Sequence, residues 1–407
     1  MTDDHGFVII GASLAGAKAA QTLREEGFDG KIVLIGEEPV RPYERPVLSK
    51  DFLQGKADED AAFVHDPGYY DQHDIDLRLS TRVSGLEPRH REVVLASGER
   101  LGYDAVLLAT GAVPRRLPVP GADLAGVHYL RNLTDAERLR SAITGGARVV
   151  VIGAGWIGCE VAASARHLGA DVAMVELGRL PLERVLGPEL GAFYRDVHAD
   201  HGVELHFGAG VEALRGGDQV EQVLLTDGTA LAADVVVAGV GVAPRIELAE
   251  AAGLALDNGV MTDEYLAASA AGVFAAGDVA SAWHPVFARR VRLEHWSSAL
   301  NQGPVAARNM LGTRTPYDRI PYFYSDQYDV GMEYSGYAPG WDQVVFRGDP
   351  AGREFIAFWL KDGRVVAGMN VNVWDVADSI AALVAAGGQV DLSRLLDPDV
   401  ELAALAG

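Results

Sequence analysis

The stretch RVVVIGAGWIGCEVAASARHLGADVAMVE, residues 148–176, decides the fold. It predicts a buried β-strand at residues 148–152, a glycine-rich turn, a helix, and a second strand that ends at Glu176. A stretch of the same pattern begins with FVIIGASLAG at residues 7–16 and ends with KIVLIGEE at residues 31–38. Each is a strand–turn–helix–strand unit, the βαβ unit of parallel sheets. Two such units predict two Rossmann-like nucleotide-binding domains, and the fold class is therefore α/β.

Three further apolar runs support parallel sheets. They are DAVLLAT at residues 104–110, DVVVA at residues 234–238 and GVFAA at residues 272–276, and each is followed closely by glycine. This pattern is typical of interior parallel strands whose carboxyl ends face a ligand crevice. From about Pro321, aromatic and β-branched residues alternate between Gly-Asp and Asp-Gly turns, which predicts an antiparallel meander, and residues 375–386 have helical spacing. The C-terminal part is thus expected to be a small α+β domain.

The composition restricts the partners. The chain of 407 residues has 35 Lys and Arg against 57 Asp and Glu, a formal net charge of −22. Such a surface repels nucleic acid and anionic lipid, so neither is an expected partner. The N-terminal MTDDHGF is acidic, and no apolar run long enough for a membrane span follows it. We therefore expect a soluble, cytoplasmic protein.

The single cysteine, Cys159, restricts the redox chemistry. One thiol cannot form a disulfide framework, a structural zinc site or an iron–sulfur cluster within this chain. No metal site is predicted, and any metal centre in the reaction is expected to lie on a partner. Cys159 follows Gly158 at the predicted start of a helix, where a small packing residue fits.

Both glycine turns resemble the dinucleotide fingerprint. Gly153, Gly155 and Gly158 match G-x-G-x-x-G, and Glu176 stands 23 positions after the first glycine. Such an acid accepts hydrogen bonds from a ribose 2′-hydroxyl and repels a 2′-phosphate, so this unit favours NAD over NADP. Arg179 and Arg184 keep an NADP alternative open.

The first turn is a slightly weaker match. Gly11, Ser13 and Gly16 give G-x-S-x-x-G, with Glu37 26 positions after Gly11, where a ribose-binding acid is expected. The helix after such a turn offers the positive end of its dipole to a pyrophosphate. A plain glycine-rich turn is the alternative.

The motifs GASLAG, IGEE, RPYERPVLSK, ATGA, GAGWIGCE, GVGVAP, AAGDVA, LEHWSSALNQG and PYFYSDQ occur in this order between residue 8 and about residue 328. With them the chain resembles the FAD-dependent, NADH-consuming ferredoxin reductases of bacterial oxygenase systems. These are relatives of putidaredoxin reductase and of the biphenyl dioxygenase reductase component, in the glutathione reductase-like superfamily. The resemblance implies an FAD-binding domain at residues 1–114 and 243–320, an NAD-binding domain at 115–242 and a C-terminal reductase domain at 321–407.

The resemblance also implies which residues serve the flavin. Gly11, Ser13, Ala15 and Gly16 would lie at the FAD pyrophosphate and Glu37 at the adenosine ribose. Arg45 and Lys50 would lie beside the isoalloxazine ring, where a cation stabilises the anionic reduced flavin, and Glu160 would pair with Lys50. Lys50 and Glu160 are therefore the catalytic candidates. The alternative is that Arg45 and Lys50 are solvated loop charges.

Further cofactor-binding candidates complete the set. Some of these candidates have purely structural alternatives. Asp278 could cap a helix, and Thr134 or Asp135 could cap the helix that follows Arg131. His295 and Trp296 could belong to an ordinary core. Tyr324 stands where relatives often carry Trp, and Arg245 where Asn is more usual. The candidates are Val83, Ala109, Thr110, Gly111, Arg131, Gly153, Gly155, Ile157, Gly158, Glu176, Arg184, Gly241, Gly277, Asp278, Glu294, His295, Trp296 and Tyr324.

The lone thiol also bears on the electron acceptor. A flavin enzyme without a cysteine pair cannot pass its electrons to a disulfide of its own, so we expect them to leave by another route. The resemblance implies hydride transfer from NADH to FAD and single-electron delivery to an iron–sulfur ferredoxin that serves a monooxygenase or dioxygenase. Candidate docking residues are Arg289, Arg290, Arg292, Arg308, Arg314 and Arg319. The alternatives are an NADH oxidase, a rubredoxin or quinone reductase, and a redox-sensing flavoprotein similar to apoptosis-inducing factor. A monomer or weak dimer is expected.

Overall fold

The computed structural model describes residues 6–405. The acidic residues 1–5, on which part of the expectation about localisation rested, lie outside them. Ten α-helices occur in the described range: α1 Leu14–Glu25, α2 Tyr69–Gln72, α3 Leu133–Ala142, α4 Trp156–His167, α5 Glu183–Leu186, α6 Pro188–Asp200, α7 Glu247–Ala251, α8 Trp296–Met310, α9 Ala377–Ala386 and α10 Leu392–Leu396. Short 3₁₀ turns lie at Pro46–Ser49, Asp60–Ala62, Gly277–Val279 and Leu402–Leu405.

The strands of the described range fall into three groups along the chain. The first group is β1 Gly6–Ile10, β2 Ile32–Ile35, β3 Ile75–Arg78, β4 Val83–Glu87, β5 Glu92–Leu95, β6 Arg100–Leu108 and β7 Ala112–Pro114. The second is β8 Val127–His128, β9 Arg148–Ile152, β10 Asp171–Glu176, β11 Glu204–Phe207, β12 Val211–Gly216, β13 Val220–Leu225, β14 Ala230–Ala232, β15 Val235–Ala238 and β16 Val242–Pro244. The third is β17 Val260–Thr262, β18 Val273–Ala275, β19 Ala280–His284, β20 Arg289–Val291, β21 Tyr322–Gln327, β22 Val330–Gly336, β23 Gln343–Asp349, β24 Glu354–Lys361 and β25 Arg364–Val371.

The chain divides into two compact units. Unit 1 consists of the chain up to residue 44 with residues 62–113 and 243–321, and unit 2 consists of residues 45–61, 114–242 and 322–407. Each unit contains one of the two glycine turns. The division into three domains made from the sequence remains a prediction.

Unit 1 is built on a parallel sheet in the order β3, β2, β1, β6 and β18. The β4–β5 hairpin pairs with the first half of β6 in antiparallel fashion. Strand β1 lies between β2 and β6, so the direction of the strand order reverses beside the end of β1. In open α/β sheets such a reversal creates a crevice at the carboxyl ends of the strands, which is where ligands bind.

Unit 2 repeats this arrangement. Its parallel sheet has the order β11, β10, β9, β15 and β8, and the order reverses beside β9. The observed bounds of β9 are those predicted at residues 148–152, and β10 ends at Glu176 as predicted. The runs predicted near residues 104–110, 234–238 and 272–276 form β6, β15 and β18, all in parallel pairs. The prediction of two parallel Rossmann-like sheets is confirmed.

The C-terminal sheet of unit 2 is antiparallel, as predicted, but it is not a meander. Its order is β21, β22, β25, β24 and β23, so β25 rather than β23 lies next to β22. Helix α9 packs on β22 and β25 and forms the helical part of this α+β region. Residues 337–342, which contain Pro339 and Gly340, carry the chain from β22 to the far edge strand β23.

One hydrophobic core joins the two main sheets of unit 2. Val149, Val151 and Met174 of the parallel sheet and Trp359 and Met369 of the antiparallel sheet belong to it. The indole nitrogen of the fully buried Trp359 donates to the carbonyl oxygen of residue 186 at 3.0 Å, so its one polar atom is satisfied. Residues of both sheets that lie next to this core therefore have a rigid, closely packed support. Among residues 6–405, no helix is both long and apolar enough to cross a membrane.

Candidate functional site

The turn after β1 in unit 1 requires glycine at its first position. Gly11 has φ +119°, and a Cβ there would lie 2.0 Å from the carbonyl oxygen of Ala109. Ala109, Thr110 and Gly111 directly follow β6, so the two strand ends on either side of the order reversal meet here. Gly16, in the first turn of α1, packs against the carbonyl oxygen of Gly11 in the same way. The turn brings backbone amides to the crevice without any side chain in between.

The conformation of Ser13 leaves backbone amides available for an anion at this turn. It occupies the N-cap position of α1, and its side chain makes no capping hydrogen bond. Serine is among the strongest N-cap residues, so its hydroxyl normally accepts from an amide of the first helical turn. Here the first amides of a twelve-residue helix, with the positive end of its dipole, stay open in the crevice. These residues fit a pyrophosphate, and the assignment of Gly11, Ser13, Ala15 and Gly16 to that group stays a prediction.

Glu37 lies at the end of the strand that follows α1, and it is held by a partner that the sequence did not indicate. Its carboxylate is 2.9 Å from the guanidinium of Arg245 and 3.8 Å from that of Arg82. Arg245 is itself fixed, because its backbone N–H donates to Gly111 and its carbonyl accepts from the Thr110 hydroxyl, both at 2.9 Å. The pair orients the acid that is predicted to bind a ribose.

The residues around Gly277 form a second polar group in unit 1. Gly277 donates its amide to the Gln302 side chain at 2.8 Å. Asp278 lies inside the 3₁₀ turn that this glycine begins, and Ala276 holds its N-cap position, so the alternative of Asp278 as an N-cap is wrong. Arg292 donates to the carbonyl oxygen of Asp278 at 3.2 Å and pairs with Glu294 at 2.6 Å. Val83, at the start of β4, is buried in the core of the same unit.

His295 and Trp296 mark the start of α8. His295 holds its N-cap position, and burial lowers the pKa of the imidazole to about 4, although the nearby Asp278 opposes this. The ring is therefore neutral at physiological pH. The indole nitrogen of Trp296 donates to the Glu44 carboxylate at 2.9 Å. A neutral histidine and a fixed aromatic ring suit contact with a flat, polar ring system.

The glycine turn of unit 2 shows the same geometry. Gly153 has φ +99°, and its Cβ would lie 2.4 Å from the carbonyl oxygen of Gly239. Gly155 is different, because its φ of −80° suits any residue and a Cβ there would meet nothing within 4 Å. Neither conformation nor packing requires glycine at this position. The open space in front of Gly155, at the N-terminus of α4, fits the pyrophosphate of a dinucleotide.

We expect two substitutions in this turn to affect different properties: Gly155→Val weakens NADH binding, and Gly158→Ala lowers stability. Gly155→Val fits the fold, so the melting temperature stays near that of the wild type, but the new side chain blocks the open space and NADH binding weakens at least tenfold. Gly158→Ala puts a Cβ 1.9 Å from the carbonyl oxygen of Gly153 and costs about 1–3 kcal/mol of unfolding free energy. Thermal melting and NADH titration of both variants check this. Equal loss of stability in the two variants would contradict it.

Glu176 ends β10 as a rigid acceptor. Its two carboxylate oxygens accept the backbone amides of Ala154 at 2.8 Å and Gly178 at 2.9 Å. Arg179 is exposed and pairs with Glu183 at 2.8 Å, and Arg184 is exposed on the short helix α5. The acid is therefore fixed beside the glycine turn. Two further predicted cofactor residues frame this end of the sheet: Ile157, 46% exposed on α4, and Gly241, with φ +92°.

Lys50 and Glu160 form a buried ion pair in unit 2. The ammonium of Lys50 is 2.9 Å from the carboxylate, and both side chains are largely shielded from solvent. Ser49 and Ser325 each donate a hydroxyl to the same carboxylate, at 2.5 and 2.7 Å. The alternative of Lys50 as a solvated loop charge is therefore wrong. The sequence analysis quoted the motifs that contain both serines but did not single the serines out.

Tyr324 and the two predicted arginines complete this group. The Lys50 ammonium lies 5.4 Å from the centre of the Tyr324 ring, within cation–π range. Arg45 donates from its guanidinium to the carbonyl oxygen of Arg131. The N-cap of α3 is Asn132, and the Asp135 carboxylate accepts the backbone amides of Arg131 and Asn132 in a capping box. Of the two capping alternatives, that of Asp135 is therefore confirmed and that of Thr134 is wrong. The cap fixes the backbone that receives Arg45.

Cys159 is fully buried in α4, and burial raises the pKa of its thiol. The reactive thiolate is therefore scarce, as predicted for a packing residue. We expect Ellman's reagent to titrate no thiol in the native protein over minutes and one thiol per chain in guanidinium chloride. Rapid labelling of the native protein would contradict the described burial.

Comparison with known proteins agrees with this geometry. Residues 5–303 match the family model described as pyridine nucleotide-disulphide oxidoreductase, and residues 322–406 match the model described as reductase C-terminal. The chain is 40% identical to the ferredoxin–NAD(+) reductase component of the anthranilate 1,2-dioxygenase system of Burkholderia cepacia, over 97% of this chain and 98% of the relative. It is 38% identical to the putidaredoxin reductase of Pseudomonas putida, over 91% and 90% of the two chains.

A solved structure is also similar. The crystal structure of the covalent putidaredoxin reductase–putidaredoxin complex superposes with a TM-score of 0.95 at 36% sequence identity, covering 98% of this chain and 97% of the other.

Proposed function

Because the chain belongs to the pyridine nucleotide-disulphide oxidoreductase family and carries a reductase C-terminal domain, we propose that it is an FAD-dependent NADH:ferredoxin oxidoreductase of an oxygenase system. It takes hydride from NADH onto FAD and passes single electrons to an iron–sulfur ferredoxin that serves a monooxygenase or dioxygenase. The observation that carries this proposal is the repeated glycine turn, one in each unit, each with an open helix N-terminus beside a strand-order reversal.

The two turns divide the cofactors. FAD is assigned to the turn of unit 1, where Ser13 leaves the amides of α1 open and Glu37 is held by Arg245. NADH is assigned to the turn of unit 2, where Glu176 is fixed as an acceptor for the ribose 2′-hydroxyl. When bound, FAD supplies an acceptor for two electrons as hydride that can release them one at a time.

The residues of the chain prepare this chemistry rather than perform acid–base steps. Lys50 holds a positive charge next to Tyr324, and Glu160 fixes the position of that charge. Lys50 and Glu160 are in this sense the catalytic candidates, and Arg45 and Arg131 support the same region. Hydride transfer depends mainly on positioning, which a buried ion pair in a dense core provides.

The single buried thiol excludes an internal disulfide as the electron acceptor. Cys159 is the only cysteine and burial holds it as a thiol, so a cysteine pair cannot take the electrons. Of the six arginines considered for ferredoxin docking, Arg292 and Arg308 pair with acids and Arg290 donates to two backbone carbonyls. Arg289, Arg314 and Arg319 are exposed, and on that ground they are the docking candidates; Arg314 also lies 4.5 Å from the centre of the Tyr265 ring. We place the protein in the cytoplasm, where NADH and ferredoxin are available.

The test is NADH-driven reduction of cytochrome c by the FAD-loaded protein, with and without an added ferredoxin, and again with NADPH. We expect rapid reduction that requires ferredoxin and prefers NADH. Reduction independent of ferredoxin, or oxygen uptake instead, would favour an NADH oxidase. Slow flavin reduction with a long-lived NAD complex would favour a redox-sensing flavoprotein.

A further inference from the structure

A series of buried, hydrogen-bonded polar side chains in the interior of unit 2 ends at Glu160; we call it the hydrogen-bond chain. Along β21, alternate residues face the core, and Phe323 belongs to that core. The next two core-facing positions are Ser325 and Gln327, each 1% exposed. Apolar residues fill such buried positions without needing hydrogen-bond partners, whereas Ser325 and Gln327 need a partner for every polar atom taken from water. Their presence calls for a reason other than packing.

Ser325 and Gln327 are connected to a buried histidine of α6. The Ser325 hydroxyl donates to Glu160 at 2.7 Å, and the Gln327 side-chain amide donates to the Ser325 hydroxyl oxygen at 3.2 Å. The amide oxygen of Gln327 is 3.1 Å from Nε2 of His198, which is 0% exposed. Tyr328 lies on the other side of the imidazole, with its hydroxyl 3.3 Å from Nδ1.

These contacts leave one direction for the hydrogen bonds. An amide oxygen only accepts, so Nε2 of His198 carries a proton and donates it to Gln327. Burial lowers the pKa of His198 to about 4, so the imidazole is neutral and Nδ1 accepts from the Tyr328 hydroxyl. Every donor in the hydrogen-bond chain therefore points toward Glu160. A carboxylate is the acceptor that ends such a chain best, because charge-assisted hydrogen bonds are the strongest.

We propose that His198, Gln327 and Ser325 are positioning residues that hold the Glu160 carboxylate in the orientation that fixes Lys50, and that through this pair they set the reduction potential of the bound flavin. This inference rests on the proposed function and on the family resemblance, which implies that Lys50 serves the flavin. Ser325 and Lys50 share one carboxylate oxygen of Glu160 and Ser49 holds the other, so a loss of Ser325 leaves the carboxylate held by Ser49 and by the lysine whose position it fixes.

The first experiment compares Ser325→Ala with Ser335→Ala. Ser335 is a matched control, because it lies on the neighbouring strand β22, is 2% exposed and donates to the carbonyl oxygen of residue 377. The potential of the FAD-loaded proteins is measured by equilibration with a reference dye under a chemical reductant, without NADH or ferredoxin. We expect Ser325→Ala to lower the ratio of reduced to oxidised flavin about tenfold at a fixed potential, or about 30 mV for a two-electron couple. Ser335→Ala leaves the ratio unchanged.

The second experiment tests whether the hydrogen-bond chain acts through Glu160. In a Glu160→Gln background, Ser325→Ala is expected to add no further shift, because coupled residues are not additive. Gln327→Met is expected to shift the ratio in the same direction by about threefold, and Ser325→Thr, which keeps the hydroxyl, to restore the wild-type value. If Ser325→Ala loses its flavin, Gln327→Met carries the same test.

Equal potentials in Ser325→Ala and Ser335→Ala would overturn the inference, as would full additivity with Glu160→Gln. Neither result affects the proposed function, which is judged separately by ferredoxin reduction with the wild-type protein. Conversely, a wild-type protein that reduces no ferredoxin would contradict the proposed function. The flavin potentials of the variants could still be compared in that case.

Discussion

Lys50→Met is expected to slow the reduction of the bound flavin by NADH about 100-fold, within the range that removal of one preorganised charge-stabilising group causes. The Lys50 ammonium is the cation held by Glu160, Ser49 and Ser325 through the buried carboxylate. Without it the negative charge that hydride transfer brings to the flavin has lost its fixed counter-charge. Stopped-flow absorbance at the flavin band, under single-turnover conditions, measures the rate.

The same substitution also affects stability, and the two effects can be separated. Removing one partner of a buried ion pair leaves the other charge uncompensated and costs about 3–5 kcal/mol. The double variant Lys50→Met with Glu160→Gln removes both charges, so we expect it to recover much of the stability but none of the rate. Lys56→Met, at an exposed lysine of the same segment, is the control and should match the wild type in both measurements. A double variant that recovered the rate would show that Lys50 acts only through folding.

Glu176→Ala is expected to reduce the preference for NADH most strongly. The carboxylate ends β10 with both oxygens already anchored on backbone amides, so it presents a rigid acceptor to the ribose hydroxyls. A hydrogen bond to a charged group contributes about 1.5–3 kcal/mol, so its loss should raise KM for NADH by roughly 10- to 100-fold with a smaller change in kcat. Removing the negative charge also removes the repulsion of a 2′-phosphate, so KM for NADPH should fall.

The control for this variant is Glu204→Gln. Glu204 lies on the adjacent strand β11 and is exposed at the opposite end, where it pairs with His206. Steady-state kinetics with both nucleotides should find this variant unchanged. If Glu176→Ala left the ratio of kcat/KM for NADH to kcat/KM for NADPH unchanged, Glu176 would not bind the ribose. Arg184 would then be the next residue to test.

The sequence was most informative where local chemistry decides the structure. Strand β9 has the predicted bounds and β10 the predicted end because their apolar runs stop at glycine and at charged residues, and φ of Gly11 confirms the tight turn inferred from the motif. The order of the C-terminal strands was predicted wrongly, because strand alternation shows that a sheet forms but not which strands pair. In the structure, residues 337–342 lead from β22 to the far edge strand β23, and α9 packs on β22 and β25.

Long-range polar partners were beyond sequence reasoning for a related reason. Arg245 meets Glu37, and His198 meets Gln327, although each pair is more than a hundred residues apart. Neither pair has a spacing rule, because only the completed fold brings its members together. The lysine and glutamate of the buried ion pair were anticipated through family motifs, whereas the serines that anchor them were not.

The strand order of the two parallel sheets has a consequence for biosynthesis. All five strands of the unit 2 sheet lie between residues 127 and 238, whereas the unit 1 sheet pairs β6 with β18, whose last residue is Ala275. A chain that leaves the ribosome N-terminus first has therefore exposed β1, β2 and β6 long before β18 can cover the open side of β6. An unpaired strand edge of this kind promotes aggregation and chaperone binding. A nascent chain arrested before residue 272 should thus hold a paired second sheet while its first sheet still lacks an edge strand.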